Sequence, residues 1–147
     1  MIQFHPMLTH LARAIQSGGR DANDQPAERQ ISPGFGTPCR HCLENVPEGA
    51  EMLVFSLRPF KTMQLYAETG PAFLCANQCT AFAELNDVPF VLKTSPDYLL
   101  KGYSHDEKIV YGTGAIVPKD DISAYKGTIL THPNVAFVDA RSARNNC

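Results

Sequence analysis

Four of the five cysteines fall in two closely spaced pairs, Cys39-x2-Cys42 and Cys75-x3-Cys79, separated by 32 residues. Zinc is four-coordinate in structural sites, and C-x2–4-C pairs are the usual way for one turn to supply two thiolates. The spacing therefore points to a structural zinc ion held by Cys39, Cys42, Cys75 and Cys79. Four sulfur ligands would leave no open coordination position, so this reading is non-enzymatic. Other readings stay open at this stage. The thiols could be inert core residues, since cysteine is among the most buried residue types. Cys39 sits beside Arg40 and His41, and a neighbouring positive charge increases thiolate character. His41 is a poor base for Cys39, because adjacent residues seldom face one another. A Cys39–Cys42 dithiol switch lacks the βαβ setting of thioredoxin-like motifs. A Cys39–Cys147 thiol switch is a further alternative.

A second group of residues is cationic. Arg141 and Arg144 follow the last expected strand, Arg58 ends another, and Tyr66 and Glu68 follow in a loop. Strand ends commonly present ligand-binding groups, and guanidinium forks can hold a carboxylate or phosphate. Arg58, Tyr66, Glu68, Arg141 and Arg144 are thus candidate ligand-binding residues. With Cys39 as catalytic residue they would make a small enzyme or an anionic-ligand-binding protein. The five histidines have no HExxH spacing, and Gly112-Thr113-Gly114 does not lie between a strand and a helix as a dinucleotide fingerprint would.

The elements that must position these residues read as follows. Residues 2–5 suggest a short edge strand ended by Pro6. Leu8, Leu11, Ala12 and Ile15 recur at helical spacing, with Gly18-Gly19 as the stop. Residues 19–37 are polar and rich in Gly, Pro, Asp and Asn, a long irregular loop. Residues 52–57 and 72–75 read as buried strands, 76–85 as a helical turn packing Phe82 and Leu85, and 90–92 as a short strand. Residues 98–117 have the pattern of a β-hairpin with His105 exposed in its turn. A helix opening at 118–121 carries Ile122, Tyr125 and Ile129 on its apolar face, and 135–138 is the last strand. The sum is a single α+β domain over 1–147, a mainly antiparallel sheet with two short helices and a long irregular N-terminal loop.

Composition sets the outer bounds. The chain has 147 residues and a formal net charge of −2, with 19% charged residues. That charge excludes a generic nucleic-acid binder, and no apolar run reaches the length of a membrane span. His5, Pro6, His10 and Arg13 interrupt the N-terminus before a signal-peptide core. A cytoplasmic location is therefore expected. The low charged fraction suggests self-association as a homodimer, beside an unknown small-molecule or protein partner.

The blocks GRDANDQPAER at 19–29, PCRHCL at 38–43, SLRPF at 56–60, YAETGPAFL at 66–74, IVYGTG at 109–114 and VDARSARNNC at 138–147 carry a family resemblance. The chain resembles the bacterial family known as domain of unknown function 1203, over nearly its whole length. The resemblance implies a single-domain bacterial protein without assigned activity. It also implies that relatives with the PCRHCL block have His where Cys75 stands, which is another zinc ligand. Other branches keep the cysteine at 39 without those at 42, 75 and 79, which leaves Cys39 a separate purpose there.

Overall fold

The computed structural model describes residues 3–84 and 86–147. Their internal contacts form two compact units, one of Gln3–Pro59 with Thr69–Val91, the other of Phe60–Glu68 with Leu92–Cys147. Each unit contains one helix and one three-stranded antiparallel sheet, so the α+β class expected from the sequence is the class observed. The expected sheet is divided in two.

The first unit begins with α1, Thr9–Gln16, which ends where Gly18 takes a left-handed conformation (φ +91°). Ala12 and Ile15 are buried as expected, but Leu8 and Leu11 are exposed. The docked face is rotated towards Thr9, Arg13 and Gln16, polar residues at i, i+4 and i+7. Residues 3–8 form no strand; the Met7 N–H is taken by the Arg40 carbonyl (2.8 Å), and Pro6 has no N–H to offer. Ile2 lies outside the described residues.

The long loop contains a four-residue strand, β1 (Glu28–Ile31), exposed throughout. It pairs with β2 (Glu51–Leu57), which pairs with β3 (Gly70–Cys75) in the register Met52↔Cys75 and Val54↔Phe73. Met52, Leu53, Phe55, Ala72 and Leu74 fill the core beneath these strands, with Ala12, Ile15 and Val46. Residues 76–84 are not helical. Their carbonyls at Asn77 and Cys79 accept from Gln16 and Arg13, and the Phe82 N–H donates to the His41 carbonyl. Backbone groups satisfied from outside the segment do not require a helix. Leu85 lies outside the described residues.

In the second unit β4 (Asp97–Tyr103) runs between β5 (Ala115–Pro118) and β6 (Phe137–Ser142). The expected hairpin is present, with Tyr98 opposite Val117 and His105 exposed in the connection. Residues 109–114 remain in that connection, because Gly112 adopts φ +90° and interrupts any extended run. The last strand starts two residues later than expected and extends to Ser142. Residues 90–92 form a 3-10 turn instead of a strand. A second 3-10 turn over Lys119–Asp121 leads into α2 (Ile122–Leu130), which buries Ile122 and Ile129. A Cβ at Gly102 would come within 3.0 Å of side-chain atoms of Thr113, Val135 and Ile129, so only glycine allows this approach.

Glu107, itself at φ +62°, ties the loop after Phe60 to this hairpin. Its carboxylate accepts the Lys61 N–H (2.8 Å), the Thr62 N–H (2.9 Å) and the Thr62 hydroxyl (3.0 Å). Burial pushes the Glu107 carboxyl up, but these donors outweigh it and hold it below its usual value. A depressed carboxyl stabilises the fold above its unfolded value of about 4.3, and the gain is lost as pH falls through the lower folded value. Replacing Glu107 with Gln is expected to cost about 1.5–3 kcal/mol at neutral pH and to flatten the acid limb of the stability curve. Urea denaturation across pH 2–7 checks this; an unchanged acid slope would contradict it.

Candidate metal centre

The first pair of cysteines sits in a tight knuckle. Cys39 N–H donates to the Glu44 carbonyl (2.8 Å), Leu43 N–H donates to the Cys39 carbonyl (2.9 Å), and Leu43 takes φ +57°. The turn is fastened to the outer edge of β3, where Cys39 bridges Phe73 and the Arg40 N–H donates to the Phe73 carbonyl (2.9 Å). This edge contact brings the knuckle to the end of β3, which carries Cys75. Cys79 follows four residues on, in the non-helical segment.

The four Sγ atoms of Cys39, Cys42, Cys75 and Cys79 lie within 4.8 Å of one another. Cys39 and Cys79 are 3.8 Å apart at sulfur. A regular tetrahedron with zinc–sulfur bonds of about 2.3 Å has sulfur–sulfur edges of about 3.8 Å. All five cysteines are free thiols. Cys39 is fully buried and the other three are partly so.

The electrostatics are those of a crowded thiol cluster. Hydrogen bonds from Cys42 and Cys75 pull the Cys39 thiol far down, against the effect of burial. Cys42 and Cys75 are pushed up, chiefly by giving those bonds to Cys39. Cys79 is pushed up to about 12 by burial and by the charge on Cys39. One thiolate thus forces its neighbours to keep their protons unless a cation replaces them.

The Cys75 N–H donates to the Cys39 sulfur (3.4 Å), and the amides of Cys42 and Glu44 favour the thiolates of Cys39 and Cys42 respectively. Beyond them, α1 presses its polar face on the second pair. Arg13 donates to the Cys79 carbonyl (2.7 Å), and Gln16 to the carbonyls of Cys75 (2.8 Å) and Asn77 (3.1 Å). His41, fully buried, places Nδ1 3.2 Å from the Cys79 sulfur and Nε2 2.9 Å from the Thr9 hydroxyl. Burial, then the charge of Arg13, holds its imidazole neutral to lower pH than usual, against the pull of Cys39.

With the site in view, the comparison with known families is decisive. The family described as protein of unknown function (DUF1203) matches residues 36–147. The chain belongs to this family. No curated protein and no solved structure matches it. The DUF1203 match contains all four cysteines and His41, whereas α1 precedes it.

The other candidate residues of this DUF1203 protein divide between the two units. Arg141, 9% exposed, pairs with Asp139 and Glu68, and Lys101 also binds Glu68 (2.8 Å). Burial raises the Glu68 carboxyl, but Lys101 and Arg141 more than offset it. Two cations and two carboxylates leave this group neutral. Arg144 pairs with Asp97 (3.0 Å) at the surface, and Tyr66 packs edge-on against Tyr111. Arg58 follows β2 in the first unit, half-buried. Cys147 lies in the second unit, its carbonyl accepting from the Ser142 N–H (2.9 Å).

Thr9, Arg13 and Gln16 are site residues that the sequence reading missed. Their signal is the i, i+4, i+7 spacing of three polar residues beside Ala12. Gln16→Ala should leave the carbonyls of Cys75 and Asn77 without this donor, costing about 1–3 kcal/mol and speeding amide exchange over residues 75–82. Exchange at the wild-type rate in hydrogen–deuterium mass spectrometry would contradict the clamping role.

Proposed function

We propose that this chain is a non-enzymatic binding module whose first unit is clipped by a structural zinc ion at Cys39, Cys42, Cys75 and Cys79. The observation that carries the reading is the convergence of four sulfurs from two separate segments within 4.8 Å. The 3.8 Å separation of Cys39 and Cys79 is the edge of a tetrahedral thiolate site, and far longer than a disulfide bond of about 2.05 Å. Zinc suits an all-thiolate tetrahedron and has no redox chemistry of its own. With four sulfur ligands the ion has no free position for water or substrate, so its contribution is to folding. In small zinc folds such an ion supplies an apparent ~10–16 kcal/mol, enough to hold together segments that the sequence separates by 32 residues.

The binding part of the reading has its support in the second unit. Met63 and Leu65 are 79% and 100% exposed on the loop that Glu107 holds by its backbone. Large apolar side chains on a loop pinned in one conformation are suited to contact a partner at little ordering cost.

Protein purified under reducing conditions without added metal should contain about one zinc per chain by plasma mass spectrometry. Removing the metal with a chelator should abolish the cooperative unfolding of the first unit. A zinc content near zero, with the fold intact, would overturn the proposal.

A further inference from the structure

In the centre just described, backbone amides bear on two of the four sulfurs. The Cys39 sulfur accepts from the Cys75 amide at 3.4 Å, and the amides of Cys42 and Glu44 favour the thiolates of Cys39 and Cys42. These donors come with the knuckle and the end of β3 and need no side chain. Cys79 lies outside any regular element, in a segment whose backbone is held by Arg13, Gln16 and the His41 carbonyl. Its sulfur meets an imidazole instead, with His41 Nδ1 at 3.2 Å.

We propose that His41 is the positioning residue of the metal centre: its Nδ1–H donates to the Cys79 thiolate, in the role the knuckle amides play for Cys39 and Cys42, and the Thr9 hydroxyl fixes the tautomer that makes this possible. The inference rests on the metal reading above. A metal-bound Cys79 has lost its proton, so its sulfur can only accept, and Nδ1 must carry the hydrogen. Nε2 is then an acceptor, and the Thr9 hydroxyl at 2.9 Å is its donor. The ring is fully buried, so water does not compete for either nitrogen. Four thiolates around a divalent cation leave two surplus negative charges, and N–H···S bonds withdraw part of that charge from the sulfurs. The Arg13 guanidinium, bonded to the Cys79 carbonyl at 2.7 Å, acts in the same sense. Outer partners of this kind orient a ligand and set its basicity, and their loss typically lowers metal affinity about 10- to 100-fold.

The position of His41 between Cys39 and Cys42 makes this arrangement economical. The knuckle fixes the backbone on both sides of residue 41, and the turn aims its side chain across at the second pair. The Phe82 N–H closes the link by donating to the His41 carbonyl (3.0 Å). One residue of the first pair's turn therefore holds the second pair by both its side chain and its backbone.

The test uses cobalt(II) as a spectroscopic stand-in for zinc in the full-length protein, with affinity measured by competition against a chromophoric chelator. In asparagine the amide nitrogen is as many bonds from Cβ as Nδ1 of histidine, whereas in glutamine it is as many as Nε2. His41→Asn therefore keeps a donor towards Cys79, and His41→Gln keeps only the contact towards Thr9. The expected result is an affinity loss of about 10- to 100-fold for H41Q, together with a shift of its thiolate-to-cobalt charge-transfer band to lower energy. H41N should stay close to wild type in both. Thr9→Val, at an exposed position, should fold normally and shift the band in the same direction by less. Equal behaviour of H41N and H41Q, or loaded variants with an unshifted band, would overturn the role of His41 while leaving the metal site standing. Wild-type protein without a thiolate-to-cobalt band would overturn the metal reading itself.

Discussion

Four thiols held within 4.8 Å face a constraint that decides most of what surrounds them. Two like charges about 4 Å apart repel by about 4 kcal/mol at the effective dielectric of a protein surface. Four thiolates so placed could not persist without a cation among them. The thiols carry the same constraint in their metal-free form: Cys39 is driven towards the thiolate, and Cys42, Cys75 and Cys79 are driven to keep their protons. A protein with no use for a cation at this point would gain by separating the sulfurs. Instead, the edge pairing of the knuckle with β3, the backbone donors to two sulfurs and the polar face of α1 all hold them together.

The structure around this point follows from the same need. The strand β3 gives Cys75 a rigid place, since Ala72 and Leu74 on its other face are locked in the core. Cys79 has no such strand to hold it, and its segment is the one that Arg13, Gln16 and His41 bind from outside. The helix α1 thus has two tasks. Ala12 and Ile15 seal the core, while Thr9 reaches His41 and Arg13 and Gln16 reach the segment of Cys75 and Cys79, and the rotation of the helix lets both faces be used.

The parts legible in the sequence were those set by local pattern. The C-x2-C and C-x3-C spacings located the sulfurs, the apolar runs at 52–57 and 72–75 located β2 and β3, the second of which carries Cys75, and the exposed position of His105 followed from its place in a polar turn. What depended on non-local partners was not legible. The division into two sheets is decided by which strands pair, and alternation along a strand does not encode its neighbour. Residues 76–84 look able to form a helical turn, yet backbone groups of Asn77, Cys79 and Phe82 are claimed by residues more than thirty positions away. Residues 3–5 look extended, but they form no strand, and the nearby Met7 N–H is taken by the Arg40 carbonyl. The role of His41 depends on Cys79, 38 residues distant, and a local reading could only test it against Cys39.

The most direct measurement of the central claim is X-ray absorption at the zinc edge of protein purified without added metal. The account predicts a single shell of four sulfurs at about 2.3 Å, collapsing when any of Cys39, Cys42, Cys75 or Cys79 is replaced by serine. A shell containing nitrogen or oxygen in place of one of the sulfurs, or the absence of zinc from the folded protein, would contradict it.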